Sequence, residues 1–219
     1  MSQMFTPGTN TLARLSLFIG LLFVVIIVGA ILIWDNSPLG NARAGIAVAQ
    51  PVRFSHELHS GALNIDCQYC HWTAEESDYG GIPDTHVCMS CHSQIAIYSE
   101  LLEPVRTSYA TGERIPWQKV HDLAEHVYYN HSVHISKGFA CETCHGPVTD
   151  MPLVWQAETM TMNWCLDCHQ APEKYVRPLD EVYTFGYEPP IDQAELGPIL
   201  VEANNIDVDG LSNCSVCHR

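Results

Sequence analysis

Positive charge is what this 219-residue chain has least of: 10 Lys and Arg stand against 25 Asp and Glu, a formal net charge of −15. That deficit excludes a nucleic-acid binder, which needs a basic footprint to displace counterions from phosphates. It equally excludes docking on an anionic lipid surface through basic residues. Charge of either sign is sparse, at 16% of residues, which is too little for a disordered polyelectrolyte. Unassigned cysteine is also missing. All ten cysteines fall inside one recurring five-residue word, so none is left for a disulfide, an iron–sulfur cluster or a lipid anchor. The length suits one domain or two small ones.

Charge disappears altogether from Leu15 to Trp34, LSLFIGLLFVVIIVGAILIW. Twenty residues at a helical rise of about 1.5 Å span about 30 Å, the thickness of a bilayer core. A buried core helix would show a polar face, and this run has none. A cleaved signal peptide is the rival reading, but its apolar region is about 7–15 residues. Ala47-Val48-Ala49 has the small side chains of a cleavage site but lies too far beyond Trp34. The segment is expected as a retained anchor, with Trp34 at the interface. Arg14 precedes it and Asp35 follows it. The positive-inside rule then places residues 1–14 in the cytoplasm of a bacterial cell and the rest on the periplasmic face of its inner membrane.

The recurring word is Cys-x-x-Cys-His. Its copies are Cys67–His71, Cys88–His92, Cys141–His145, Cys165–His169 and Cys214–His218, with second cysteines Cys70, Cys91, Cys144, Cys168 and Cys217. This is the attachment sequence of c-type haem. Two thiols add to the porphyrin's two vinyl groups, and the adjacent histidine becomes the proximal iron ligand. A zinc half-site or a thioredoxin-like redox pair also uses Cys-x-x-Cys, but neither requires the following histidine. Histidine is 12 of 219 residues, about one in 18, so five such neighbours are not coincidence. The words predict five covalent haems c, each holding iron. Such attachment takes place outside the cytoplasm, in agreement with the topology read from Arg14.

Seven histidines remain: His56, His59, His86, His121, His126, His131 and His134. A surplus of this size is expected to supply second axial ligands, leaving six-coordinate irons with no open position for substrate. His56-x-x-His59 precedes Cys67, and His131-x-x-His134 precedes Cys141. On a helix, residues three apart share a face but project from successive turns, so each pair can reach two different haems. The fifth distal ligand is open among His121, His126, His86, Met151 and Met162. His121 is favoured, in a stretch, WQKVHDLAEHVYYNH, that reads as a short helix. Met is more often core filling, and as a ligand it would raise that haem's potential.

The ectodomain repeats itself. RFSHELHSGALNIDCQYCH (53–71) aligns with YYNHSVHISKGFACETCHG (128–146). Each block runs aromatic, x, His-x-x-His, six or seven residues, then the word; a second word follows 17 to 20 residues later. The organisation expected is a linker over 35–52, two-haem units over about 53–92 and 128–169, and a fifth haem at 214–218. The stretch 148–213 carries prolines without a strong period and is expected as a loop over haem edges or a partner. From Asp35 to Arg219 there are 185 residues, or 37 per haem. So little protein per cofactor predicts a mainly α fold with few strands and extensive loops, in which haem supplies much of the core.

Phe54-x-His56-x-x-His59 ahead of a haem word resembles the class III multihaem cytochromes of c3 and c7 type. The longer pattern is similar to the pentahaem subunit of alternative complex III, a bacterial quinol-oxidising respiratory complex. The matching stretches are IPWQKVHDLAEHVYYNHSVH (115–134), CETCHG (141–146), MTMNWCLDCHQAPE (160–173) and VRPLDEV (176–182). After 183 only the closing haem word matches. The resemblance implies His56, His59, His131 and His134 as distal ligands and leaves the fifth open. It also implies electron transfer inside a membrane complex. The implied partners are an integral-membrane quinol-binding subunit, an iron–sulfur subunit and a monohaem cytochrome c, with a soluble cytochrome or copper protein as acceptor. The chain itself would not be an enzyme. A stand-alone membrane-anchored quinol dehydrogenase feeding a periplasmic reductase is the alternative, but that family has four haems and places the first close to its anchor. A multihaem nitrite reductase would carry one haem word ending in Lys, and all five words here end in His.

Overall fold

The computed structural model describes residues 7–35 and 44–218. The chain divides into two units, residues 1–42 and 43–219. In the first, helix α1 (Pro7–Asp35) begins eight residues before the apolar run. Proline suits a first helical position, where its missing N–H would have no partner anyway. Within Gly8–Trp34 a stretch of 18 residues reaches a mean hydropathy of 3.1, and none of that stretch is buried. Twenty-seven residues at about 1.5 Å each span about 40 Å, which is long enough to cross a membrane. Part of the expected linker, residues 36–43, lies outside the described residues.

The second unit is a string of short helices. These are α2 (Cys67–His71), α3 (Thr85–His92), α4 (Glu103–Thr111), α5 (His131–Ser136), α6 (Cys141–His145), α7 (Met162–Gln170), α8 (Gln193–Ala203), α9 (Val208–Leu211) and α10 (Cys214–Cys217). No strand occurs among the described residues, only isolated bridges such as Val127 with His218 and Phe139 with Val176. Four of the five haem words form helical turns that a side chain caps. Asp66, Asp84, Thr161 and Asn213 accept the backbone N–H of Gln68, His86, Trp164 and Ser215, and Asn130 does the same for α5. Each cap satisfies a donor that a short helix would otherwise leave unpaired. Helix α6 ends at Gly146, whose φ of +67° favours glycine.

Two expectations change. Residues 115–130 form turns and extended chain, not a short helix. Residues 148–213 are more ordered than a loop: besides α7 they contain α8 and α9. Helix α8 packs against the 3-10 turn Pro172–Lys174. That approach requires Gly197, since a side chain there would strike the Glu173 carbonyl. The Gln193 amide fastens the same contact by donating to the carbonyls of Glu173 (2.7 Å) and Val176 (2.9 Å).

The buried apolar core amounts to Val52, Ala74, Val105, Ala140, Met151, Val176 and Val182. Seven mostly small side chains are far fewer than a domain of this length normally buries. An ion pair supplements them: Arg177 donates to Glu142 at 3.0 Å and to the Thr184 carbonyl at 2.9 Å.

Candidate haem sites

The five words are numbered I to V in chain order. In each, one helical turn brings the two thiols and the following imidazole to one side, as spacings of three and four residues do. All ten thiols are free. Burial pushes the thiols of Cys67, Cys70, Cys88 and Cys165 upward. It takes Cys141 and Cys168 to about 11 and Cys144 to about 12. A redox-active Cys-x-x-Cys needs a thiol pushed the other way. These seven are half-buried and pushed upward instead.

Each word's histidine faces a second imidazole. His71 lies opposite His56 with ring centroids 6.4 Å apart and planes 10° from parallel. His92 lies opposite His59 at 6.1 Å. His145 faces His131 at 6.3 Å and 11°, His169 faces His134 at 6.2 Å, and His218 faces His126 at 5.4 Å. The repeat seen in the sequence is therefore a repeat in space. The first histidine of each His-x-x-His turns to the next word in the chain and the second turns to the word after it.

The fifth partner differs from the expectation. His126, not His121, stands opposite His218. The Val127–His218 bridge and a 2.8 Å bond from Tyr128 N–H to the Cys217 carbonyl lay this segment along word V. His121 instead meets the edge of His145, with Nε2 3.3 Å from Nδ1. His86 is exposed and pairs with Asp84 at 2.5 Å. Met151 is fully buried and Met162 is exposed.

The other ring nitrogen of these imidazoles is tied down. Nδ1 donates to a backbone carbonyl in His71 (Gly81, 2.8 Å), His92 (Ile95, 3.1 Å), His169 (Leu211, 3.0 Å) and His218 (His126, 3.1 Å). His59, His131 and His134 do the same to Ser55, Asp78 and Asn130. That bond fixes the tautomer and leaves a lone pair on Nε2, the nitrogen open to a metal. The Nδ1 of His145 faces His121 in place of a carbonyl, and that of His56 is buried without a partner. Burial, with the neighbouring imidazoles adding, holds His56 down at about 4 and His145 at about 3. Both stay neutral, as ligation demands. Aromatics fix the distal rings. Phe54 stacks on His59 and Tyr129 on His134, each at 4.4 Å, and each meets the first histidine of its pair edge-on at 4.8 Å.

The words adjoin in the order II–I–III–IV–V. Cys70 is within electrostatic reach of Cys88 and Cys91, and Tyr69 hydroxyl meets Ser90 at 2.8 Å. Cys141 feels Cys67, Cys144 feels Cys168 and Cys165, and Cys165 feels Cys217.

This donor set fits haem. An imidazole nitrogen bonds a first-row metal at about 2 Å, so two imidazoles on opposite sides of one ion hold their centroids about 6 Å apart. Among the described residues no three His, Cys, Asp or Glu gather as a protein-only metal site would need. Donors arriving in twos suit an iron whose remaining four bonds come from porphyrin, and they do not make a tetrahedral zinc site.

Fold and site together define a mainly helical, c7-like multihaem domain, a class that carries covalent haem c and transfers electrons. Residues 127–219 match the family described as cytochrome c7 and related cytochrome c. Among curated proteins, the chain is 27% identical over 141 residues to the multihaem cytochrome c subunit of menaquinone reductase from Nitratidesulfovibrio vulgaris. That alignment covers 55% of this chain and 67% of the relative.

Proposed function

We propose that all five words carry haem c and that this chain relays electrons within a quinone-linked complex of the bacterial cytoplasmic membrane. Helix α1 anchors it there, and the haem domain faces the periplasm. The axial pairs are His71 with His56, His92 with His59, His145 with His131, His169 with His134, and His218 with His126. Haem so ligated supplies one-electron exchange and no vacant position for substrate. The chain's part is to saturate each iron, fix eight of the ten rings through Nδ1, and hold the sites in an unbranched row whose ends are II and V. Those ends are where partners dock: a quinone-binding membrane subunit with its iron–sulfur neighbour at one, a monohaem cytochrome or a soluble cytochrome or copper acceptor at the other.

The observation that carries this reading is the fivefold pairing of imidazoles across a metal-sized gap. The stretches that resemble alternative complex III favour electrons arriving from quinol. The relative named as a menaquinone reductase subunit favours the opposite direction. Assaying the purified complex with quinol plus oxidised cytochrome, and with quinone plus reduced cytochrome, separates the two. The isolated chain is expected to catalyse neither reaction. Mass spectrometry of the denatured chain should show five porphyrin adducts, and metal analysis should find iron. Fewer adducts, or zinc in place of iron, would end the proposal.

A further inference from the structure

We propose that His121 is the positioning residue of site III, accepting the Nδ1 proton of His145 and thereby setting the orientation and donor strength of that ring as an axial ligand. The inference rests on the haem reading above. Three observations carry it. His121 meets His145 edge-on, with centroids 4.4 Å apart, planes 78° apart and nitrogens 3.3 Å apart. That is a hydrogen-bond geometry, with no room for an ion between the rings. The other face of the pairing is already filled, since His131 stands opposite His145 at 6.3 Å and nearly parallel.

The third observation is contrast. Seven other axial histidines donate Nδ1–H to a backbone carbonyl. His145 alone donates to a side chain among the described residues. A carbonyl's place is set by the fold, whereas His121 can be exchanged without rebuilding the backbone, so this is the one site whose outer partner a substitution can remove cleanly. Proton accounting follows. With Nδ1 of His145 protonated, its Nε2 is the ligating nitrogen, and His121 must present an unprotonated Nε2. An acceptor on a ligating imidazole makes the ring more basic, and a more basic ligand favours oxidised iron.

The test replaces His121 in the full chain and follows each haem by redox titration and low-temperature electron paramagnetic resonance. H121L is expected to raise the midpoint potential of one haem, to shift one low-spin signal, and to leave the other four unchanged. H121Q, which retains an acceptor, is expected to return both toward wild type. Five haems shifting together, or none, would overturn the inference. So would a high-spin, carbon monoxide-binding iron in H121L, which would make His121 a ligand. Should H121L not accumulate, redox-difference infrared spectra of histidine-labelled wild-type protein take its place. An axial imidazole whose Nδ1–H meets a nitrogen is expected beside those bonded to carbonyls and that of His56 without a partner, and the absence of that class would overturn the inference. Counting haems in the wild type separates the failures: fewer than five sinks the haem reading, while five with no shift sinks this inference alone.

Discussion

His126 shows what one side chain decides at the residue scale. Among the described residues its ring is the only imidazole facing His218, so on the proposed reading H126A should leave the iron of word V five-coordinate. One haem of five is then expected to turn high-spin and to bind carbon monoxide when reduced, as absorbance difference spectra would show. The other four should stay low-spin. Choosing between His121 and His126 was beyond the sequence. Both lie in the same extended stretch, and what separates them is a contact spanning 92 residues, from His126 to His218. The His-x-x-His pairings were legible because the facing histidines follow within 35 residues, in two copies whose spacings nearly agree. The stacking of Phe54 and Tyr129 was half legible: the sequence showed the aromatic in each copy, and the structure shows its ring lying on the second histidine.

At the scale of elements, four of the five haem words have a capping residue ahead of their helix, Asp66, Asp84, Thr161 and Asn213. Replacing Asp66 by Ala should cost about 1 kcal/mol, measurable as a lower midpoint in denaturant for the haem-loaded protein. Helix α8 hid for the opposite reason. Gly197 and Pro198 sit inside it, and both are poor helix residues whose presence reads as a break. Tertiary packing overrides that propensity. Gly197 is buried against the Pro172–Lys174 turn, where a methyl group would meet the Glu173 carbonyl. G197A is therefore expected to destabilise the domain by about 1–3 kcal/mol despite alanine's better helix propensity, seen as a drop in Tm with haem spectra unchanged before melting. The segment 115–130 misled in the other direction. Its composition suits a helix, yet Gln50 bonds to Gln118 and Tyr128 bonds to Cys217, which hold it extended.

At the scale of the whole molecule, composition forecast the class of fold. Thirty-seven residues per haem word leave no room for an ordinary core, and among the described residues seven apolar side chains are buried fully enough to count as one. Truncating residues 1–34 should release a soluble protein that still carries five haems, checked by size exclusion in detergent-free buffer and by haem stain. A variant with all ten cysteines changed to alanine should lack cooperative melting and show weak helical circular dichroism, because the rings that complete the interior can no longer be attached.

The thinness of that interior bears on how the protein is made. A polypeptide that needs porphyrin to close would stay open until porphyrin is joined to it, with its thiols within reach of whatever makes that bond. On the proposed reading, maturation and folding would then be a single event, and a copy missing one ring would be left loose.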